Sequence, residues 1–290
     1  VPVANVGKKL LRGICLDYSH TPARNRKPYN KMSWEEILEI EELPESDVIS
    51  PKTASELVKF FQGVFSYARD HLELFEVSPA DGLKLKLGGN QTRFGYYTPS
   101  QLRLLESHAL GMDKKHEHRK WLILLAMYTG ARAGELVQLR QQDIRTDEET
   151  GRLYILITPE AGSVKTEAGL RSIPIHTRLL DLGFMQLVDA ISNPSDRVLA
   201  NIPLNAKNIS WFSKVREQCG ILYTTDQGNR LVFHSLRHSF ITLSRNAGFS
   251  DYLVQSICGH EKTNAGVTDR YTHDACIAEL LPVIDGFKIQ

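Results

Sequence analysis

Between His234 and Tyr271 the chain gathers an unusual density of side chains able to handle a phosphate. The stretch opens His234-Ser235-Leu236-Arg237-His238, passes Cys258-Gly259-His260 and closes Asp269-Arg270-Tyr271-Thr272-His273. Arginine presents a planar fork of donors that matches phosphate oxygens in pairs. Histidine gives or takes a proton near neutral pH. Tyrosine can act as a nucleophile that stores a covalent intermediate. A guanidinium, imidazoles and a phenol in one stretch suggest an active site that breaks a phosphodiester without a metal. Cys258 and His260 alone make no metal site, because a structural zinc needs a second pair of ligands.

The composition allows such an enzyme and excludes several other classes. At 290 residues the chain is long enough for two domains with sizeable cores. The longest unbroken apolar run, Trp121 to Tyr128, is too short to cross a bilayer. No signal-peptide apolar region follows Lys8-Lys9. Cys15, Cys219, Cys258 and Cys276 are scattered, as reduced thiols of a cytoplasmic protein would be, so the sequons at Asn90 and Asn208 carry no meaning. Val1 in the place of an initiator methionine suggests a piece of a longer protein. The formal net charge is only +1, but its distribution is uneven. Residues 1–32 carry Lys8, Lys9, Arg12, Arg24, Arg26, Lys27 and Lys31 against Asp17 alone, whereas residues 33–50 carry seven acids and no base. A basic face for nucleic acid is compatible with that pattern.

The elements that must position the reactive residues follow from caps and periodicity. Residues 1–31 read as an irregular basic arm with at most one short helix. Ser33-x-x-Glu36 is a capping box opening a helix that runs toward Pro44. Ser50-Pro51 opens a long helix with Leu57, Val58, Phe61, Val64, Phe65 and Ala68 at helical spacing. The Gly- and Lys-rich stretch 83–95 is the candidate linker. Thr98-Pro99 starts another helix, and a buried helix over about 118–128 ends at Thr129-Gly130. Residues 152–157 and 171–175 read as strands, with Lys165 near the reversal between them. The remainder reads as helical, with a loop around 224–230. The fold class expected is mainly α with a small antiparallel β-sheet: a mixed α+β domain preceded by a smaller, truncated helical one.

Four blocks then fall in a telling order: Ala131-Arg132-x-x-Glu135-Leu136, Lys165 in a strand-connecting turn, His234-x-x-Arg237, and Gly259-His260 followed by Tyr271. In this the chain resembles the tyrosine recombinases of the phage-integrase type, strongly over residues 98–274 and loosely over 33–95. The resemblance implies a core-binding helical domain with a basic arm over residues 1–95 and a catalytic domain over residues 96–290. It also implies that the apolar stripe Cys276, Ile277, Leu280, Leu281, Val283 and Ile284 is a C-terminal helix, which in the family docks on a neighbouring protomer. Docking on its own core is the other reading.

The roles that the resemblance implies agree with the chemistry of each group. Arg132 and Arg237 would clamp the non-bridging oxygens of the scissile phosphate and neutralise charge growing in the transition state. On its own, Arg132 reads better as a surface ion-pair partner of Glu135, and the second matching arginine turns the reading to the clamp. Tyr271 would be the nucleophile. A free phenol, with a pKa of about 10, is ionised in only about one molecule in a thousand at neutral pH. It therefore needs the guanidinium field and a proton acceptor, for which His234 is the choice. Lys165 would protonate the departing 5′ oxygen, and His260 would hydrogen-bond the phosphate or pack on the tyrosine. The loop from Glu261 to Arg270 looks longer than is common in the family, which leaves open whether Tyr271 serves its own subunit or a neighbour. Lys207, Lys214 and Arg216, around Trp211-Phe212, are candidate DNA contacts on a helix that would enter a groove, and read equally well as the polar face of an ordinary exposed amphipathic helix.

The activity implied is site-specific DNA recombination through a 3′-phosphotyrosyl link, with no cofactor, metal or ATP. The partners implied are double-stranded DNA carrying recombination sites, a homotetramer on two duplexes that is monomeric without DNA, and accessory DNA-bending or directionality proteins. An integrase of a phage or genomic island, a cellular chromosome-dimer resolvase and a catalytically silent DNA-binding relative are the functions to separate. A type IB topoisomerase would share the chemistry without synapsis.

Overall fold

The computed structural model describes residues 5–40, 43–44, 46–85, 93–159, 170–204, 206–259 and 275–289. The chain divides into two compact units, Val1–Gln91 and Thr92–Gln290. As expected, the fold is mainly helical with one small antiparallel sheet.

The first unit holds α1 (Lys8–Ser19), α2 (Trp34–Leu38) and α3 (Pro51–Asp70). The basic arm is more regular than its composition suggests. Its twelve-residue helix α1 buries Leu11 and Cys15 against Val58 of α3 and against Ala80 and Leu83 beyond it. The Ser33 capping box forms as expected: Glu36 N–H donates to Ser33 Oγ at 3.2 Å, and the Glu36 carboxylate accepts from Ser33 N–H at 2.6 Å. The helix it opens is shorter than expected and ends at Leu38. Ser50 accepts from Thr53 N–H at 3.1 Å, and Pro51 occupies the first turn of α3, where its missing N–H costs nothing.

The second unit is built around α5 (Glu117–Thr129), in which every residue from Trp121 to Thr129 is buried. Burying side chains of this size contributes about 1.5–3 kcal/mol each, which makes α5 the post on which the rest is hung. On one side lies α4 (Pro99–Leu110), capped by Thr98, which accepts from Gln101 N–H at 3.3 Å. On another lies α10 (Ser235–Asn246), which buries Leu236, Phe240 and Ile241. The short helix α6 (Ala133–Val137) follows α5 directly.

The sheet runs β1 (Ile144–Thr146), β2 (Leu153–Ile157), β3 (Arg171–Pro174), antiparallel throughout, with Ile155 opposite both Ile144 and Ile173. Ile155, Ile157 and Ile173 point into the core. Strand β1 was not foreseen in the sequence. Helices α7 (Thr177–Asp181), α8 (Phe184–Asp189) and α9 (Phe212–Gln218) follow, and α11 (Asp251–Cys258) packs on α10.

The C-terminal α12 (Ile277–Gly286) packs on its own unit, against β3 and α11, and buries Ile277, Leu280, Val283 and Ile284. Pro282 lies inside this helix without ending it. His176 and the Phe287 carbonyl, 3.0 Å apart, fasten the segment that follows, and Arg103 donates to the Ile289 carbonyl. Among the described residues, no helix is long and apolar enough to cross a membrane.

Candidate active site

The site is assembled where α5 stops. Gly130 takes φ +62°, and a Cβ there would lie 2.7 Å from Phe240 Cδ1 and 3.1 Å from Cys258 Sγ, so only glycine fits this exit. Ala131 then turns inward and Arg132 takes the N-cap position of α6, with extended backbone. Glu135, at the third position of α6, reaches back so that its carboxylate accepts from Arg132 N–H at 2.8 Å. The Arg-x-x-Glu spacing is therefore a helix start in which the acid answers an otherwise unpaired backbone donor.

Glu135 also binds two guanidiniums. It accepts from Arg132 Nη1 at 2.9 Å, and from Arg171 Nη2 and Nη1 at 2.7 and 3.2 Å. Its side chain is 7% exposed and that of Arg171 6%. Burial alone would raise the Glu135 pKa. The hydrogen bonds and charge of Arg171, then those of Arg132, outweigh it and hold the carboxyl below its ordinary range. The ion pair foreseen between Arg132 and Glu135 is thus present, but Glu135 is not Arg132's sole partner. Arg132 Nη2 donates to the Gly259 carbonyl at 3.0 Å, and Arg171 Nε donates to the Ile257 carbonyl at 2.7 Å. The starts of α6 and β3 and the end of α11 are tied together by one carboxylate and two guanidiniums.

Arg237 completes the cluster from the first turn of α10. It is 3% exposed, and its Nη1 donates to the Gly130 carbonyl at 2.8 Å. Among the described residues its Nη2 has no hydrogen-bond partner, and no carboxylate lies within ion-pair distance. Burial, and then the neighbouring Arg132 and Arg171, push its pKa down to about 10, so it stays protonated at neutral pH. Among the described residues, three guanidiniums therefore face one carboxylate. A buried cation with an unused donor, in a locally positive field, favours an oxyanion.

His234 stands at the N-cap of α10 and is exposed. Its ring meets Phe94 edge-on at 5.7 Å and His238 edge-on at 5.0 Å. Burial, and then Arg237, lower the His238 pKa and favour its neutral ring. Phe94 is held by a two-bond bridge: Gly95 N–H donates to the Arg230 carbonyl, and Arg230 N–H to the Arg93 carbonyl, both at 2.9 Å.

The structure brings Arg132 and Arg237 together at the exit of α5, and His234 stands at the start of α10, three residues before Arg237, with its ring against Phe94 and His238. Lys165, His260 and Tyr271 lie outside the described residues, as does the side chain of Lys207. Lys214 is exposed and lines an open cleft of about 560 Å³ with Trp211, His108, Met112, His116 and Arg119. Arg216 departs from the groove-facing position expected for it. It is 6% exposed, donates to the Leu231 carbonyl at 3.1 Å and stacks on Tyr223, because position 216 falls on the inward face of α9 beside Val215. Sequence reasoning missed Arg171 and Phe94. The one signal for Arg171 was a charge at the head of an otherwise apolar strand.

The profile of the phage integrase family matches residues 97–276, which span all four sequence blocks. A XerC-like tyrosine recombinase of Caldanaerobacter subterraneus subsp. tengcongensis is 24% identical over 261 residues, 77% of this chain and 63% of the relative. The integrase of Enterobacteria phage P21 is 27% identical over 190 residues, 60% and 46% of the two chains. The chain thus spans less than two thirds of the length of either relative. Among solved structures, a lambda integrase dimer bound to a COC′ core site aligns with a TM-score of 0.58 at 15% identity, over 91% of this chain and 82% of the other. The XerH site-specific recombinase bound to its difH substrate aligns with a TM-score of 0.57 at 19% identity, over 92% and 67%. These likenesses show a shared fold. With the family profile covering well over half of its length, the chain belongs to the phage integrase family of tyrosine recombinases.

Proposed function

We propose that this chain is a site-specific DNA recombinase, the integrase of a phage or genomic island, which cleaves and rejoins DNA through a 3′-phosphotyrosyl intermediate. The observation that carries the proposal is Arg237. A buried guanidinium beside Arg132 that has, among the described residues, one unpaired donor and no carboxylate of its own supports a phosphate site prepared before the ligand arrives.

In this reading Tyr271 attacks the scissile phosphorus and gives its proton to His234. Arg132 and Arg237 hold the two non-bridging oxygens as charge grows on them, and His260 supports the same phosphate. The bond to the 5′ oxygen breaks, and Lys165 protonates that oxygen. The free 5′ hydroxyl of a partner strand then attacks the phosphotyrosine, and the protons return by the reverse path. One phosphoester replaces another, so the exchange needs neither ATP nor a metal. Four protomers on two duplexes exchange strands in pairs, and accessory DNA-bending or directionality proteins set the outcome. The first unit clamps DNA as a partial core-binding domain, and Lys207 and Lys214 contact the backbone. The protein acts in the cytoplasm, on the nucleoid.

Likeness to the phage P21 integrase supports the mobile-element reading, as does the basic first helix. Likeness to the XerC-like relative favours a second reading, a cellular chromosome-dimer resolvase with the same chemistry.

The test separates binding from chemistry. A duplex site is first selected by the protein from a random-sequence pool. Arg132→Ala and Arg237→Ala are then each expected to slow single-turnover cleavage of that site by about 10²–10³-fold, the cost of losing one oxyanion donor. Affinity for the site should change only a few fold, because one phosphate among many contacts is affected. Equal losses in binding and cleavage would count against a transition-state clamp.

A further inference from the structure

We infer that Arg171 is a positioning residue for the Arg132 guanidinium, acting through Glu135 and through the end of α11. The inference rests on the proposed reaction for its consequence but not for its geometry. Nothing in the sequence blocks that identify the family points to Arg171, and the proposed chemistry does not use it.

Three donors of one planar group explain why an arginine stands here. Nη1 and Nη2 grip the two oxygens of Glu135 at 3.2 and 2.7 Å, while Nε donates to the Ile257 carbonyl at 2.7 Å. A lysine in the same place has one nitrogen and cannot reach the carboxylate and that carbonyl together. Glu135 is the residue that orients Arg132, through its backbone N–H and its Nη1. The remaining described contact of Arg132 runs from Nη2 to the carbonyl of Gly259, a residue against which Arg171 packs. Arg171 closes against Gly259 so tightly that a Cβ there would lie 2.6 Å from its Nη1, and Gly259 holds φ +66°. Arg171 therefore grips one partner of Arg132, the carboxylate, and packs against the residue that carries the other, the Gly259 carbonyl. Fixing a guanidinium before the substrate arrives removes the cost of ordering it in the transition state.

The position in sequence adds a consequence. Arg171 opens β3, six residues after Lys165, and the strand pair brackets the segment that carries the proposed general acid. One side chain thus joins the strand leading from the acid to the arginine of the clamp.

Two readouts test this. The first needs no reaction: the side-chain Nε–H resonance of Arg132, assigned by its loss in Arg132→Lys. In the wild-type protein it is expected away from the position of a solvated arginine, and in Arg171→Lys it should move toward that position. An Arg132 resonance unchanged by Arg171→Lys overturns the inference. The second is single-turnover cleavage of a half-site at saturating DNA. Arg171→Lys, which keeps the charge, should cleave about tenfold or more slowly with binding unchanged. The double variant Arg132→Lys/Arg171→Lys should be no slower than Arg132→Lys alone, because residues of one network do not add. Multiplying defects, or wild-type cleavage by Arg171→Lys, overturn it. So does failure of Arg171→Lys to fold at 20 °C, because the residue then holds the fold and not the clamp. A wild-type protein that leaves the half-site uncleaved counts against the proposed reaction, and the resonance still decides the role of Arg171.

Discussion

Removing the charge of Glu135 while keeping its shape, as Glu135→Gln, isolates what the buried carboxylate does. In the native site its two oxygens accept four hydrogen bonds, from Arg132 N–H, Arg132 Nη1, Arg171 Nη1 and Arg171 Nη2, and the side chain is 7% exposed. A glutamine oxygen can serve two of these donors. Its amide nitrogen must then face the other two, donor against donor. Hydrogen bonds to charged groups contribute about 1.5–3 kcal/mol each, and breaking a buried ion pair from one side costs about 3–5 kcal/mol. The expected loss is therefore about 3–5 kcal/mol. For a unit of this size that lowers Tm by on the order of 10 °C.

The pH dependence gives a sharper check. The folded-state pKa of Glu135 is held below its unfolded value, which is about 4.3. Its contribution is complete above that value and is lost as pH falls through the folded pKa. Denaturant unfolding of wild-type and Glu135→Gln should thus show a gap that is full at pH 7 and narrows below about pH 4. A Tm within about 2 °C of wild type at pH 7 would refute the reasoning. A gap that persists undiminished in acid would also refute it.

Other expectations follow from the same geometry. Gly130→Ala forces a side chain into φ +62° and sets its Cβ 2.7 Å from Phe240, so it should destabilise by about 2–5 kcal/mol and slow cleavage by shifting the carbonyl that holds Arg237, measured by unfolding and single-turnover kinetics. His176 is buried, accepts from Arg178 N–H through Nδ1, and has its pKa lowered chiefly by burial, so the neutral ring is the one that fits. Its folded pKa lies below the unfolded value of about 6.5; stability should therefore fall as pH drops from about 6.5, and His176→Asn should flatten that limb of the profile. Lys165→Ala should cleave poorly on ordinary DNA and recover on a substrate with a 5′-thiolate leaving group, which needs no proton; a defect that stays is inconsistent with a general acid at Lys165.

The parts of the fold legible in the sequence are those fixed by local chemistry. Ser33, Ser50-Pro51 and Thr98-Pro99 announce helices because the cap is made within four residues. Helix α5 announces itself because a run of apolar residues must be buried whatever surrounds it. Strand β1, Ile144-Arg145-Thr146, has no alternation of its own and exists through pairing with β2. Helix α1 was under-read because its buried side, Leu11 and Cys15, acquires meaning only against α3. The site divides the same way. Arg132, His234 and Arg237 stood out by type and spacing; the two arginines lie near each other, and His234 opens the helix that carries Arg237. Arg171 could not be read, because its burial depends on the end of α11 arriving from more than eighty residues away in the chain. Arg216 shows the converse: a basic residue near aromatics looks like a DNA contact until its helix turns it inward onto Leu231.

The most direct test of the central claim is a half-site duplex whose cleaved end cannot religate, incubated with the protein in EDTA. A covalent protein–DNA adduct joined through a 3′ phosphate to Tyr271 is expected, absent with Tyr271→Phe. An adduct that persists in Tyr271→Phe, or one that forms only when magnesium is restored, would contradict it.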